Sequence, residues 1–80
     1  MTFEELQSKI DDLAATGDVK GFKRLHLAIV EEEDDDEDMQ MVLCDYLQKR
    51  KRAMESRLSG AIMEAQQWEY EAEIMEQGYY

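Results

Sequence analysis

The sequence places eight of its twenty acidic residues side by side, in the run EEEDDDED at residues 31–38. Clustered carboxylates can bind cations or take the place of phosphates. An EF-hand calcium loop alternates its oxygen ligands around a glycine and ends on a glutamate. This run has neither that glycine nor that spacing, so we expect weak cation condensation and predict no metal or cofactor. Adjacent like charges repel and resist packing, which favours a solvated surface.

Nucleophilic and acid–base catalysis have little support in the sequence. His26 and Cys44 are the only histidine and cysteine, and a hydrolytic pair would also need an orienting group and an oxyanion site. His26 lies on the apolar face of a predicted helix, which indicates a packed, hydrogen-bonded side chain. Cys44 is expected to pack as a small hydrophobe. Gly-rich phosphate loops and zinc spacings are also absent, so we predict that the chain is not an enzyme.

The one basic cluster is KRKR, at residues 49–52. As a nucleic-acid patch or nuclear-localisation signal it would be short, and it lies in a strongly negative chain. A solvated surface is the leading interpretation. An internal counterweight to the acidic residues is also supported, since Asp45 and Lys49 form a favourable i,i+4 pair on a helix. A further alternative is association, in which the acidic run of a second copy meets this cluster.

The C-terminal sequence WEYEAEIMEQGYY, at residues 68–80, mixes aromatic side chains with carboxylates. Aromatic residues and methionine are enriched at protein interfaces. Trp68 and Met75 fit the helix period and are more expected in a core, whereas Tyr70 and the two last tyrosines are less easily explained by a core. Ordered carboxylates along such a helix can resemble a row of phosphates. These carboxylates are Glu64, Glu69, Glu71, Glu73 and Glu76.

The net charge of −11 restricts the partners. Phosphate contacts need a basic face, so direct nucleic-acid binding is disfavoured, as is binding to an anionic membrane. A protein with a basic surface would instead be attracted and steered. A single cysteine excludes an internal disulfide and fits a reducing compartment. The acidic N-terminus does not match a signal peptide, and no apolar run approaches the ~20 residues of a membrane span. We therefore predict a cytoplasmic protein.

Helix signals begin at the N-terminus. Thr2 and Glu5 match a capping box, and apolar residues then recur at spacings of three and four. Gly17 supplies the left-handed residue that commonly follows a helix. We predict a first helix over residues 2–16.

The second helix follows a short TGD connection, so the two helices are expected to form an antiparallel hairpin. Asp18 can cap this helix. Its apolar face, which Leu27 and Val30 are expected to widen, consists of Val19, Phe22, Leu25, His26 and Ile29. Gly21 weakens the first turn by about 1 kcal/mol relative to alanine and is expected where another helix approaches closely. The predicted range is 18–30.

The acidic run is predicted to separate the second helix from the third. Carboxylates at a helix C-terminus oppose the macrodipole, whereas at a helix N-terminus they are favourable. We therefore expect an acidic loop at residues 31–37, with Asp35 or Asp36 capping a helix that begins at residue 38.

Helix periodicity continues from residue 38 to 76, as a heptad seam that Lys51 interrupts. Ser59 and Gly60 can break this helix. A continuous helix would be about 58 Å long at ~1.5 Å per residue and would need a second copy to cover it. A break or kink, which we favour slightly, gives four helices. The residues predicted for self-association are Leu47, Met54, Leu58, Ala61, Ala65, Trp68, Ala72 and Met75.

These elements predict a single all-α domain over residues 1–80, a small helical bundle of three to four helices with a flexible tail at residues 78–80. We expect a non-enzymatic inhibitor whose carboxylates cover a basic, nucleic-acid-binding surface of another protein. Short acidic chains of this kind are typical of phage-encoded inhibitors, a likeness of composition alone. The alternative is a structural protein that forms a homodimer or larger bundle through its C-terminal helix. The predicted partner-binding residues are Glu31, Glu32, Glu33, Asp34, Asp35, Asp36, Glu37, Asp38, Glu64, Glu69, Tyr70, Glu71, Glu73 and Glu76.

Overall fold

A computed structural model describes residues 1–32 and 37–78. α3 is the central helix of a bundle that measures 39 × 26 × 15 Å, because it packs against all three of the others. The prediction of a small all-α bundle is confirmed, in its four-helix form. The described residues contain no strand, and their helices are α1 (Phe3–Thr16), α2 (Val19–Glu31), α3 (Glu37–Leu58) and α4 (Ile62–Glu76).

The predicted capping residues flank α1 and precede α2, and each of these helices begins one residue after its predicted start because Thr2 and Asp18 are the caps. Oγ1 of Thr2 accepts a 3.1 Å hydrogen bond from the backbone N–H of Glu5. Gly17 has a φ of 68°, in the left-handed region, and its N–H bonds back to the last turn of α1 at 3.3 Å. Asp18 then caps α2, because its Oδ1 accepts a 3.0 Å hydrogen bond from the N–H of Gly21. Local capping therefore determines where α1 begins and ends and where α2 begins.

Gly21 lies where α1 and α2 pack closely. A Cβ atom at this position would overlap with Cδ2 of Leu13 and would lie 2.8 Å from Oδ2 of Asp18. The expectation that this glycine permits a close helix approach is confirmed.

The outer side of α2 differs from the prediction. Leu27 and Val30 do not widen the apolar face, because their side chains are 55% and 50% exposed. The buried face consists of Phe22, Leu25 and Ile29, which recur at spacings of three and four on the opposite side of the helix.

The helix break predicted at Ser59 and Gly60 is confirmed. α3 ends at Leu58 and α4 begins at Ile62. Gly60 has a φ of 87°, which glycine adopts without the steric cost that a Cβ atom would add. α4 therefore folds back along α3 within one chain, and the long single helix does not form.

The α3–α4 contact buries much of the predicted seam inside the chain. Leu58, at the end of α3, is 65% exposed and lies outside this contact. The partly buried members of the predicted seam are Met54, Ala61 and Trp68. Its fully buried members are Leu47, Ala65, Ala72 and Met75.

The core lies where the other helices meet α3. Tyr46 is the largest fully buried side chain, and its ring centre lies 4.7 Å from that of Phe3. The rest of the buried cluster consists of Leu6, Ile10, Phe22, Leu25, Ile29, Leu43, Leu47, Ala72 and Met75.

The acidic run is shared between helix ends and the connection between them. α2 ends one residue later than predicted, at Glu31, and α3 begins one residue earlier than predicted, at Glu37. Glu32 follows α2 with an extended backbone. The remaining positions of the predicted loop, with the expected cap, and the end of the predicted tail lie outside the described residues. They are Glu33, Asp34, Asp35, Asp36, Tyr79 and Tyr80.

Candidate functional site

Three helix ends meet at one end of the bundle, where α1 begins, α2 ends and α3 begins. The N-terminal amine of Met1 forms an ion pair with Oε1 of Glu32. From α3, Nε2 of Gln40 donates hydrogen bonds to the backbone carbonyl oxygens of Ile29 at 3.1 Å and Val30 at 3.3 Å. The last carbonyls of a helix have no partner within it, so Gln40 satisfies them and joins α3 to the end of α2.

The acidic residues of these three helix ends lie at the same end of the bundle, and we call this group the acidic pole. α1 contributes acids from its first turn, α2 from its last turn and the residue after it, and α3 from its first turn. All of these side chains are exposed. The acidic pole consists of Glu4, Glu5, Glu31, Glu32, Glu37 and Asp38.

Glu4 and Glu5 are the members that sequence reasoning missed. They are distant from the acidic run along the chain, and the antiparallel packing of α1 beside α2 brings them to it. Their position was a usable signal. Acids in the first turn of the first helix of a hairpin lie at the same end as the last turn of the second helix.

Most of the charge at the acidic pole is not neutralised by the protein itself. Of its six members, only Glu32 forms an ion pair with another described residue. The positive ends of the α1 and α3 macrodipoles favour the first-turn carboxylates. Glu31 lies at the negative end of α2, where the macrodipole opposes its charge. The pole therefore presents a negative field to solvent, on rigid helix ends.

Three of the four basic residues in the cluster at residues 49–52 form ion pairs with carboxylates of the same chain. Nζ of Lys49 lies 3.0 Å from Oδ2 of Asp45, and this predicted i,i+4 pair is confirmed. The guanidinium of Arg52 lies over the ring of Trp68, 4.9 Å from its centre. The cluster thus serves as an internal counterweight and packs against α4.

Arg50 of this cluster belongs to a polar network that links three helices. Its guanidinium lies 2.7 Å from Oδ1 of Asp11 in α1 and donates a 2.8 Å hydrogen bond to the hydroxyl of Tyr46. That hydroxyl donates to Oε1 of Glu76 at 2.5 Å. Burial, and then the hydrogen bond to Glu76, raise the pKa of Tyr46 well above its ordinary value. The phenol stays protonated, so its role is to connect α3 to α4.

The carboxylates of α4 are not brought together with the acidic pole. Glu69 is held by Arg57 through contacts of 2.6 and 2.8 Å, and Glu76 belongs to the Tyr46 network. α3 has 22 residues, so Glu64, beside its far end, lies about 30 Å from the pole along the helix axis. Among the described residues, Glu64, Glu71 and Glu73 have no ion-pair partner, and Tyr70 is 60% exposed.

An open cleft of about 410 Å³ lies between α1, α3 and α4. Its charged lining includes Arg50, Arg57 and Glu69, and these groups already pair with one another or with neighbours. Over residues 1–32 and 37–78, no three His, Cys, Asp or Glu side chains converge in a way that could hold a metal ion.

His26 and Cys44 do not form a reactive pair. His26 is partly buried beside a groove between α2 and α3. Its partly buried position agrees with the expected packing, but it forms no hydrogen bond to a described residue, so the expected hydrogen bond is not found. Cys44 packs against the core, and burial raises the pKa of its thiol. A raised pKa disfavours the reactive thiolate.

The fold and the acidic pole together define a small acidic four-helix bundle with a carboxylate surface at one end. No protein-family model, curated protein or solved structure matches this chain. None of the described helices combines the length and the apolar character that crossing a membrane requires.

Proposed function

We propose that this chain is a non-enzymatic binding protein whose acidic pole docks on a basic surface of another protein, one that otherwise binds nucleic acid. The observation that supports it is the convergence of α1, α2 and α3 on one end. This convergence gathers six exposed carboxylates, of which Glu32 alone is paired among the described residues. Helix ends hold these charges in fixed positions, so a basic groove meets an ordered array instead of a flexible tail.

The mechanism is electrostatic and steric. Lysine and arginine side chains that hold phosphates would meet carboxylates at the pole, and the body of the bundle would exclude the nucleic acid. Complementary fields raise encounter rates by about 10- to 1,000-fold, and this gain falls steeply with ionic strength. The complex should therefore form fast at low salt and weaken as salt is added.

The test compares two variants that remove the same charge from different places. The pole variant carries Glu4→Gln, Glu5→Gln, Glu37→Gln and Asp38→Asn. The control variant carries Asp12→Asn, Glu64→Gln, Glu71→Gln and Glu73→Gln, at exposed or partly exposed sites that have no ion pair to another described residue.

The partner is first identified by affinity capture from a nuclease-treated lysate with mass spectrometry. Binding of the purified partner is then measured for wild type and both variants, with and without its nucleic acid. We expect the pole variant to bind about tenfold more weakly or worse, the control to stay within about threefold of wild type, and nucleic acid to compete. Equal losses in both variants, or a complex that nucleic acid does not displace, would refute the proposed mechanism.

Oligomerisation through the C-terminal helix has less support. Four residues of the predicted seam are already buried within the chain, where α4 packs on α3. A second copy could not contact them unless this packing opened.

A further inference from the structure

The outer face of α2 carries an ordered stripe of exposed side chains. Lys20, Lys23, Leu27, Val30 and Glu31 are all exposed, and they recur at helical spacing on the side opposite Phe22, Leu25 and Ile29. Leu27 and Val30 are 55% and 50% exposed, so the described part of the chain covers only part of each side chain.

The charges of this stripe change sign along the helix. Lys20 and Lys23 lie on the N-terminal side of Leu27, and Glu31 lies on its C-terminal side. Lys23 and Glu31 are each four residues from Leu27, or about 6 Å along the axis. Among the described residues, none of these three charged groups has an ion-pair partner. When a second copy of α2 runs in the opposite direction, the basic half of each stripe therefore faces the acidic half of the other.

We propose that the chain forms an antiparallel twofold dimer through α2, with Leu27 at the symmetry axis. In this arrangement Leu27 packs on Leu27 of the partner subunit. Lys23 pairs with Glu31 of the partner subunit, and Lys20 lies within reach of the same carboxylate. The symmetry repeats each contact twice, as an isologous interface requires.

A groove beside the stripe adds apolar contact surface to the proposed interface. It has a volume of about 370 Å³ between α2 and α3. Its apolar floor includes Phe22 and Leu47, and Leu27, Lys23 and Lys51 lie along its rim. Nζ of Lys51 lies 3.9 Å from a Glu55 oxygen in the same helix. The groove offers apolar surface to the side chains of a second α2, at the level of the basic half of the stripe.

A second exposed apolar area lies at the turn between α3 and α4. Leu58, Ile62 and Met63 are 65%, 43% and 86% exposed there. This area has no complementary order of charges, so nothing specifies an occupant for it. The charge order of the α2 stripe does specify an occupant, a second copy of α2. The dimer leaves Glu4, Glu5, Glu37 and Asp38 of the acidic pole uncovered, so it does not depend on the proposed function.

Charge reversal at the two ends of the stripe tests the dimer. Lys23→Glu alone and Glu31→Lys alone each place two like-charged pairs in the homodimer. Sedimentation equilibrium should therefore show dissociation constants about tenfold higher than wild type or more. An equimolar mixture of the two variants should form a heterodimer within about threefold of the wild-type affinity, because both pairs between positions 23 and 31 are again of opposite sign. Circular dichroism checks that both variants are folded.

Glu31→Lys also separates specific pairing from general repulsion, because it makes the net charge less negative by two units. General repulsion predicts stronger self-association of this variant, whereas the α2 dimer predicts weaker. The proposal is overturned by a wild-type chain that stays monomeric at about 1 mM. It is equally overturned by a mixture that does not restore the dimer, or by a dimer that these reversals leave intact and Met63→Gln abolishes.

Discussion

The hydroxyl of Tyr46 donates a 2.5 Å hydrogen bond to Oε1 of Glu76, 30 residues further along the chain. Tyr46 is fully buried at the centre of α3, and Glu76 is the last residue of α4. The bond therefore fixes the end of α4 against the middle of α3.

Tyr46→Phe removes this hydroxyl and keeps the ring in the core. We expect the free energy of unfolding to fall by about 1 kcal/mol, which lowers Tm by roughly 4–8 °C for a domain of this size. Urea unfolding followed by circular dichroism measures the free energy of unfolding, and a thermal melt measures Tm. Tyr70→Phe is the matched control, since Tyr70 is 60% exposed, and it should change stability by less than about 0.5 kcal/mol. Equal effects of the two substitutions would contradict the role assigned to the bond.

Arg50→Gln should destabilise the bundle by about 1–3 kcal/mol, because it leaves Tyr46 and Glu76 without their cationic partner. The Arg50 side chain is only 19% exposed, and it contacts both Asp11 and Glu76. Arg24→Gln provides the comparison, since Arg24 is 74% exposed and pairs with Asp18 at 3.3 Å. That change should cost no more than about 0.5 kcal/mol. If urea unfolding ranked the two arginines in the reverse order, the three-helix network would not be a source of stability.

Alkaline pH should unfold the protein by a route that depends on Tyr46. Burial raises the pKa of this phenol in the folded chain, while the unfolded value is about 10. The resulting stability is fully present below pH 10 and is lost as pH rises toward the folded value. Burial also raises the pKa of Cys44, so a smaller loss begins above about pH 8.5. Urea midpoints from pH 7 to 11 should fall less steeply in Tyr46→Phe than in wild type, whereas Tyr70→Phe should follow wild type.

Gly60→Ala should cost about 1–2 kcal/mol, because φ at this position is 87° and a Cβ atom there meets a backbone clash. No atom outside residues 59–61 lies within 4 Å of that Cβ, so the cost is purely conformational. Gly60→Asn should lose less, since asparagine tolerates the left-handed region better. The urea midpoint should therefore be highest for the wild-type glycine, lower for Gly60→Asn and lowest for Gly60→Ala. An alanine variant more stable than wild type would mean that α3 and α4 prefer to join into one helix.

Salt should stabilise this protein. The net charge is −11, and self-repulsion at the acidic pole opposes the close approach of α1, α2 and α3. Screening shortens the Debye length from about 30 Å at 0.01 M to about 10 Å at 0.1 M. We expect the free energy of unfolding to rise by up to about 1 kcal/mol over this range. The rise should be smaller in the pole variant than in the control variant, and equal rises would indicate that repulsion is spread over the whole surface.

The ends of the helices were readable from short stretches of sequence. Thr2 and Asp18 predicted the starts of α1 and α2, and Gly17 and Gly60 predicted the ends of α1 and α3. Each of these signals acts through the backbone of residues within four positions, so it does not depend on the rest of the fold. For the same reason the choice between one C-terminal helix and two could be made, narrowly, from Ser59 and Gly60.

The width of the buried face of α2 was not readable in the same way. Phe22, Leu25 and Ile29 lie on the apolar face that periodicity predicted, and they are buried. Periodicity also added Leu27 and Val30 to that face, but the packing of α1 and α3 does not extend to them. Leu27 and Val30 are left exposed as a result, and this outcome creates the stripe from which the dimer is inferred.

The sequence by itself determined an all-α chain of three to four helices, an acidic run between the second and third, and an excess of negative charge. Only the tertiary structure decided that Glu4 and Glu5 join that run, that Arg50 faces α1 and α4, and that the carboxylates of α4 lie apart from the acidic pole. The physical reason is the distance along the chain over which each kind of interaction acts. Capping and backbone conformation act over a few residues, whereas contacts between helix ends depend on how all four helices pack.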